Sequence, residues 1–116
     1  MKCRIILELL AILFFTGCYN REQISRLDEA EALIQNKPDS ALTILQQLKS
    51  EGSQAEQARY ALLYSEALDK NHIKATNDSL IRRAWEYYKH HPKDLRRQCK
   101  TLYYWGKVKL RAGDKP

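Results

Sequence analysis

The sequence has little of what enzymes and metalloproteins usually display. It contains three cysteines and three histidines in 116 residues, and no metal-type spacing of Cys and His occurs in it. It also lacks a glycine-rich phosphate loop, a paired-carboxylate motif and a zinc signature. His72, His90 and His91 have no companion nucleophile at a recognisable spacing. We therefore expect no catalysis, no metal, no cofactor and no small-molecule substrate.

The N-terminal apolar run is short. It covers residues 5–15, follows Lys2 and Arg4, and precedes the small residues Thr16 and Gly17. A helix needs about 20 apolar residues to cross a bilayer, so this order predicts a secretory signal peptide instead of a transmembrane span.

The predicted signal ends at a cysteine. Residues 14–18, Phe-Phe-Thr-Gly-Cys, resemble the processing site of a bacterial lipoprotein. The resemblance implies a signal peptide over residues 1–17, lipidation of Cys18, and a lipid-anchored tether over residues 18–22. Two alternatives stay open: a signal peptide cut at another small-residue site, and an uncleaved N-terminal anchor.

The resemblance also implies a location. The protein is expected in the cell envelope, attached to the membrane through its N-terminal lipid. The outer membrane is favoured over the inner one, on its inner face, because the segment after Cys18 lacks the acidic run of surface-exported lipoproteins. Cys3 is removed with the signal in this interpretation, which leaves Cys99 alone. A lone cysteine at an apolar helix position is expected to be a small buried residue.

The remainder of the chain has a helical periodicity. No alternating strand pattern is present from Gln23 onward. Breaks at Pro38, Gly52, residues 71–77 and Pro92 divide the chain into about five helices. Short connections between them predict an all-α fold of antiparallel helix hairpins.

Several polar residues are placed to cap these helices. Residues 53–56 match a capping box, in which we expect Ser53 to bond the third helical N–H and Glu56 to reach back to the N-cap N–H. The expected caps of the other helices are aspartates or serines: Asp39 or Ser40, Asp78 or Ser79, and Asp94.

Three stretches resemble tetratricopeptide (TPR) repeats. The first is residues 32–48, which carry Ala32, Asn36, Asp39, Ala41, Leu45 and Leu48. The second is residues 64–92, and the third begins with Leu-Tyr-Tyr-Trp-Gly at residues 102–106 and continues to Gly113 and Asp114. The chain is also similar to TPR-bearing lipoproteins of anaerobic gut bacteria.

This resemblance implies a short TPR-like α-solenoid over residues 23–116, truncated within the third repeat. It implies a non-enzymatic module that mediates protein–protein interaction. The alternative is the input or sensory repeat domain of a longer regulatory protein.

One side of the fifth predicted helix is basic. Lys100, Tyr103, Lys107 and Arg111 recur at three- or four-residue spacing and therefore share one face. In the TPR-like register this face lines a groove, and the expected partner is another protein, through an acidic segment or a terminal carboxylate. A solvated basic face without a ligand stays open as the alternative. The equivalent positions of the third helix mix signs and predict no strong ligand: Arg59, Leu62, Glu66, Asp69 and Lys70.

The basic residues are concentrated towards the C-terminus. Residues 19–81 contain seven Lys and Arg against ten Asp and Glu, a net charge of −3, whereas residues 82–116 contain eleven against three, a net charge of +8. Basic segments with aromatic residues are also typical of nucleic-acid binding. An exported protein rarely meets nucleic acid, and the aromatic residues fall at helix-packing positions, so we expect no nucleic-acid partner.

Overall fold

The computed structural model of the protein describes residues 21–111. The expected signal peptide, Cys18 and the last residues of the third repeat lie outside the described residues. Within residues 21–111 the regular structure is entirely helical, which confirms the all-α prediction. The five helices are α1 over residues 21–33, α2 Pro38–Gln47, α3 Gln54–Lys70, α4 Ser79–Tyr88 and α5 Leu95–Arg111.

Helix α1 includes two residues of the predicted tether. Arg21 and Glu22 were assigned to the tether, but both are helical. The next residue, Gln23, is buried, and its amide donates hydrogen bonds to the carbonyls of Lys49 (3.1 Å) and Glu51 (2.8 Å). These bonds attach α1 to the segment after α2, and the described helix includes both residues before Gln23.

The caps were predicted in part. The Ser53 hydroxyl accepts a hydrogen bond from the Glu56 N–H (3.2 Å), as expected of a capping box. The other half of the box is absent, since Glu56 Oε2 is buried without a hydrogen-bond partner in the described chain. Asp94 caps α5 by accepting from the Arg97 N–H (3.3 Å), as predicted.

The cap predicted for α2 was wrong, and the one predicted for α4 has the expected position but no capping bond. Pro38 occupies the first turn of α2 and Lys37 its N-cap position, so Asp39 lies inside the helix. Proline is favoured there because its missing N–H has no helical partner to lose. Asp78 is at the N-cap position of α4 but makes no capping bond, because its carboxylate binds Arg82 and the Trp105 indole instead.

Hydrogen bonds between the helices define their relative directions. The N-terminal end of α1 bonds the end of α2, and Asn71, after α3, donates to the carbonyl of Pro38 at the start of α2 (2.9 Å). Gln98 of α5 bonds the carbonyl of Tyr88 at the end of α4, while Trp105 reaches Asp78 before α4. Consecutive helices are therefore antiparallel, as predicted.

The odd-numbered helices lie side by side and parallel. Arg59 of α3 pairs with Asp28 and Glu31 of α1. About two turns further along α3, Glu66 binds Gln35 just after α1. In the same sense, Glu66 of α3 pairs with Lys100 of α5, and Asp69, further along α3, pairs with Lys107, further along α5. The α1, α3 and α5 helices thus form one face of the molecule.

Helix α3 belongs to two apolar cores. The first core joins α1, α2 and α3 and contains the fully buried Leu27, Ile34 and Leu45. The second joins α3, α4 and α5 and is centred on Ile81. Complete burial of such side chains stabilises the fold by roughly 1.5–3 kcal/mol each. No helix within the described residues is both long and apolar enough to cross a membrane.

Candidate functional site

The predicted basic residues of α5 lie along its contact with α3. The Lys100 ammonium is 3.3 Å from Glu66 Oε1 and 3.4 Å from Oε2. The Glu66 carboxylate is buried, with 1% of the residue exposed, and also accepts from the Gln35 amide (3.3 Å). Because a buried carboxylate is costly without partners, Lys100 has a structural role in neutralising Glu66.

The other two cations share a single carboxylate. Lys107 Nζ is 3.0 Å from Asp69 Oδ2, and the Arg111 guanidinium binds the second oxygen of Asp69. Burial by itself raises the pKa of Asp69, but the hydrogen bonds from Lys107 and Arg111 outweigh it and lower the pKa below its ordinary value. Among the described residues, two cations facing one carboxylate leave an excess of one positive charge. We call these three residues the Asp69 cluster.

An exposed aromatic ring stands beside the Asp69 cluster. Tyr103 is 57% exposed, and Lys107 Nζ lies 5.0 Å from the centroid of its ring. This is a cation–π distance, so the ring orients the Lys107 ammonium without neutralising it. The cluster and the ring together present a cationic and an aromatic group on one accessible surface.

A second ion-pair network lies towards the other end of the same face. Arg59 binds Asp28 (2.6 Å) and Glu31, and Arg97 of α5 adds a contact to Glu31 (3.3 Å). Burial raises the pKa of Glu31, but the hydrogen bond and charge of Arg59 and the charge of Arg97 lower it overall. Arg97 also pairs with Asp94 (2.8 Å), so two cations face three carboxylates and this end offers no excess cation to a ligand.

The structure changes the interpretation of the basic face. The sequence suggested three free cations around a tyrosine, whereas all three are paired with carboxylates of α3. Glu66 and Asp69 therefore belong to this surface, although their mixed-sign surroundings on α3 gave no reason to select them. Their spacing of three residues, which places them on one helix face opposite a row of cations, was the available signal.

The remaining polar candidates have local partners. His91 Nδ1 is 2.7 Å from the Tyr87 carbonyl, and its ring stacks on that of Tyr87. His72 has a positive φ of 60° in the turn after α3. Within residues 21–111 no group of His, Cys, Asp and Glu is arranged to hold a metal ion.

Cys99 and the aromatic residues were predicted with different success. Cys99 is exposed, so its predicted burial was wrong. It lies on the side of α5 that no described helix covers.

Tyr88 and Tyr104 are buried in the core between α3, α4 and α5, as their packing positions predicted. Burial raises the pKa of Tyr88 to about 12, and burial together with the nearby Glu66 carboxylate raises the pKa of Tyr104.

A small cavity adjoins the Asp69 cluster. It lies between α3, the loop before α4, and α5, where Ile73, Tyr104 and Val108 contribute to its wall. Its volume of about 20 Å³ is enough for a water molecule and too small for an organic ligand. The accessible surface beside it, carrying Tyr103 and the Asp69 cluster, is therefore the better candidate for a binding site.

Comparisons with known proteins give no relative from which a function can be inferred. No protein-family model matches the chain, and no curated protein or solved structure matches it either.

Proposed function

We propose that this chain is an envelope-anchored, TPR-like module without catalytic activity that binds another protein through an acidic segment. The parallel arrangement of α1, α3 and α5 supports the TPR-like part of the proposal, since stacked hairpins place alternate helices side by side. The lipoprotein-like signal ending at Cys18 supports the anchoring. Fold resemblance alone does not determine function, so the binding role has to be argued from the site.

The observation that carries the binding role is the charge imbalance of the Asp69 cluster. Lys107 and Arg111 converge on one carboxylate, and Asp69 holds both side chains in place. A carboxylate of a partner can approach the same two cations and satisfy the remaining positive charge with charge-assisted hydrogen bonds. The exposed Tyr103 ring adds apolar contact area next to this point.

The proposal is tested with an extended peptide rich in Glu and Gly and a matched peptide with Gln in place of Glu. We expect the acidic peptide to bind and the neutral one to bind at least about tenfold more weakly, a difference of 1.4 kcal/mol. Lys107→Glu with Arg111→Glu should abolish binding while the helical circular dichroism is retained. Lys107→Gln with Arg111→Gln tests the same contact without adding repulsion to Asp69.

A matched control has the same change in net charge elsewhere. Arg83 and Lys93 are exposed outside the α3–α5 contact, so Arg83→Glu with Lys93→Glu should leave binding nearly unchanged. Equal loss in the two double mutants would show a general charge effect and contradict a specific site. Unchanged affinity after substitution of Lys107 and Arg111 would remove the Asp69 cluster as the binding surface.

A further inference from the structure

The outer side of α5 carries a continuous apolar stripe. Three of its leucines are exposed, Leu95 by 61%, Leu102 by 48% and Leu110 by 64%. Cys99 and Gly106 are exposed between them. Positions 95, 99, 102, 106 and 110 are spaced by three or four residues, so they lie along one side of the helix. Large apolar side chains that are exposed singly need no explanation, but a row of them over four turns marks a contact surface.

The glycine in this stripe has no role inside the described structure. A Cβ placed on Gly106 has no heavy atom within 4 Å, so no neighbouring helix requires the space. Glycine in a helix interior is less favourable than alanine because more backbone entropy is lost. A glycine between leucines forms a notch in the apolar stripe, into which the side-chain ridge of another helix fits.

Charge around the stripe indicates the chemistry of its partner. Arg96 lies along one side of the stripe and Lys109 along the other, and α5 contains no Asp or Glu. Like charges facing each other oppose association, whereas carboxylates on the partner attract Arg96 and Lys109. The partner therefore needs an apolar stripe with acidic residues beside it.

A second copy of this chain does not meet that requirement. Packing one α5 on another brings two basic helices together. Apart from those of α5, the large apolar side chains exposed within residues 21–111 are Ile24 and Ile73, which lie singly on different parts of the molecule. The described surface thus has no acidic, apolar helix face to complement the stripe.

We infer that the stripe formed by Leu95, Cys99, Leu102, Gly106 and Leu110 is a docking surface for an amphipathic α-helix of another protein, with acidic residues beside its apolar face. The partner helix packs over Gly106, contacts the leucines on each side, and places carboxylates against Arg96 and Lys109. This surface is separate from the Asp69 cluster that carries the proposed function, although both use α5.

Cys99 provides a direct readout of occupancy. The full chain is reacted with N-ethylmaleimide, and modification of Cys99 is followed by mass spectrometry with and without a synthetic helical peptide. The peptide has leucine at every third or fourth position and glutamate on both sides. We expect saturating peptide to slow the Cys99 reaction by about tenfold or more, since a covered thiol reacts only when the helix dissociates. A peptide with lysine in place of glutamate should protect weakly or not at all.

Variants distinguish this surface from the neighbouring one. Leu102→Glu with Leu110→Glu should remove the protection, and Gly106→Leu should weaken it by filling the notch. Both changes are at exposed positions. Gly106→Ala is a smaller change at the same position, and the free protein has room for its added methyl group. Lys107→Glu with Arg111→Glu should abolish binding of the extended acidic peptide but leave most of the Cys99 protection, so the two proposals fail independently.

Three results would overturn the inference. They are unchanged Cys99 reactivity at saturating acidic peptide, equal protection by the lysine peptide, and concentration-dependent self-association that is lost with Leu102→Glu and Leu110→Glu. The last result would make a second copy the occupant of the stripe.

Discussion

Replacing Lys100 by methionine should destabilise the protein more than neutralising its partner Glu66. Lys100→Met retains the length of the side chain but leaves the buried Glu66 carboxylate without a cation. Glu66→Gln leaves the Lys100 ammonium unpaired, but that side chain is 29% exposed and can be hydrated. The two changes break the same ion pair, so their difference measures the cost of the buried charge.

The magnitude follows from the geometry. At the Nζ–Oε1 distance of 3.3 Å, the gross attraction is about 5 kcal/mol with an effective dielectric constant of about 20. Removing one partner of a fully buried pair costs about 3–5 kcal/mol. Because Gln35 still binds Glu66 and water reaches Lys100, we expect about 2–3 kcal/mol for Lys100→Met and about 1 kcal/mol for Glu66→Gln.

Urea unfolding followed by circular dichroism measures both free energies of unfolding. Lys109→Met is the matched control, because Lys109 is on the same helix and exposed, lies over the Trp105 ring, and forms no ion pair within residues 21–111. It should change stability by no more than about 0.5 kcal/mol. The reasoning is refuted if Lys100→Met costs no more than Glu66→Gln, or if the control costs as much as either. The double mutant should resemble Glu66→Gln, since no buried charge remains.

Three further predictions follow from the pKa shifts and the caps. The pKa of Asp69 is lowered in the folded protein, so its ionised carboxylate stabilises the fold above the unfolded pKa of 3.8, and this contribution is lost as the pH falls. Below about pH 4, the free energy of unfolding should therefore decrease less steeply with falling pH in Asp69→Asn than in the unmodified chain. The pKa of Tyr88 is raised to about 12, so the stability that its neutral form confers is present below about pH 10 and declines above it. Tyr88→Phe should make the free energy of unfolding decrease less steeply above about pH 10. An equal decrease in both proteins would contradict the assignment. Ser53→Ala removes the cap of α3 and should cost about 1 kcal/mol in urea unfolding, whereas Ser53→Asp should restore most of it.

The helices were predictable because local signals agree with the packing. Ser53 and Asp94 cap helices from the sequence positions that suggested them, and Gly52, with a φ of 95°, forms the break that was expected. Pro38 was misplaced by one element, because proline both ends a preceding helix and favours the first turn of the next. Local rules therefore located the break between α1 and α2, but they did not determine that Pro38 belongs to the start of α2.

The partners of the basic face were less predictable. Lys100 and Glu66 are 34 residues apart in the chain, and Lys107 and Asp69 are 38 apart. Their pairing depends on how far α5 is shifted along α3, which periodicity within each helix does not define. The exposure of Cys99 has a similar cause, since an apolar position in a helix becomes buried only if another element covers that side.

The position of α3 between two cores has a consequence for how the molecule opens. Tyr60, Leu63 and Ala67 of α3 pack against α1 and α2, while Ala61 and Leu62 pack towards α4 and α5. Neither hairpin can separate from the rest without exposing one side of the same helix. Amide hydrogens in the middle of α3 should exchange with solvent only when the whole chain unfolds, whereas those of α2 exchange through smaller openings. The slowest-exchanging segment then reports the global stability of the described chain.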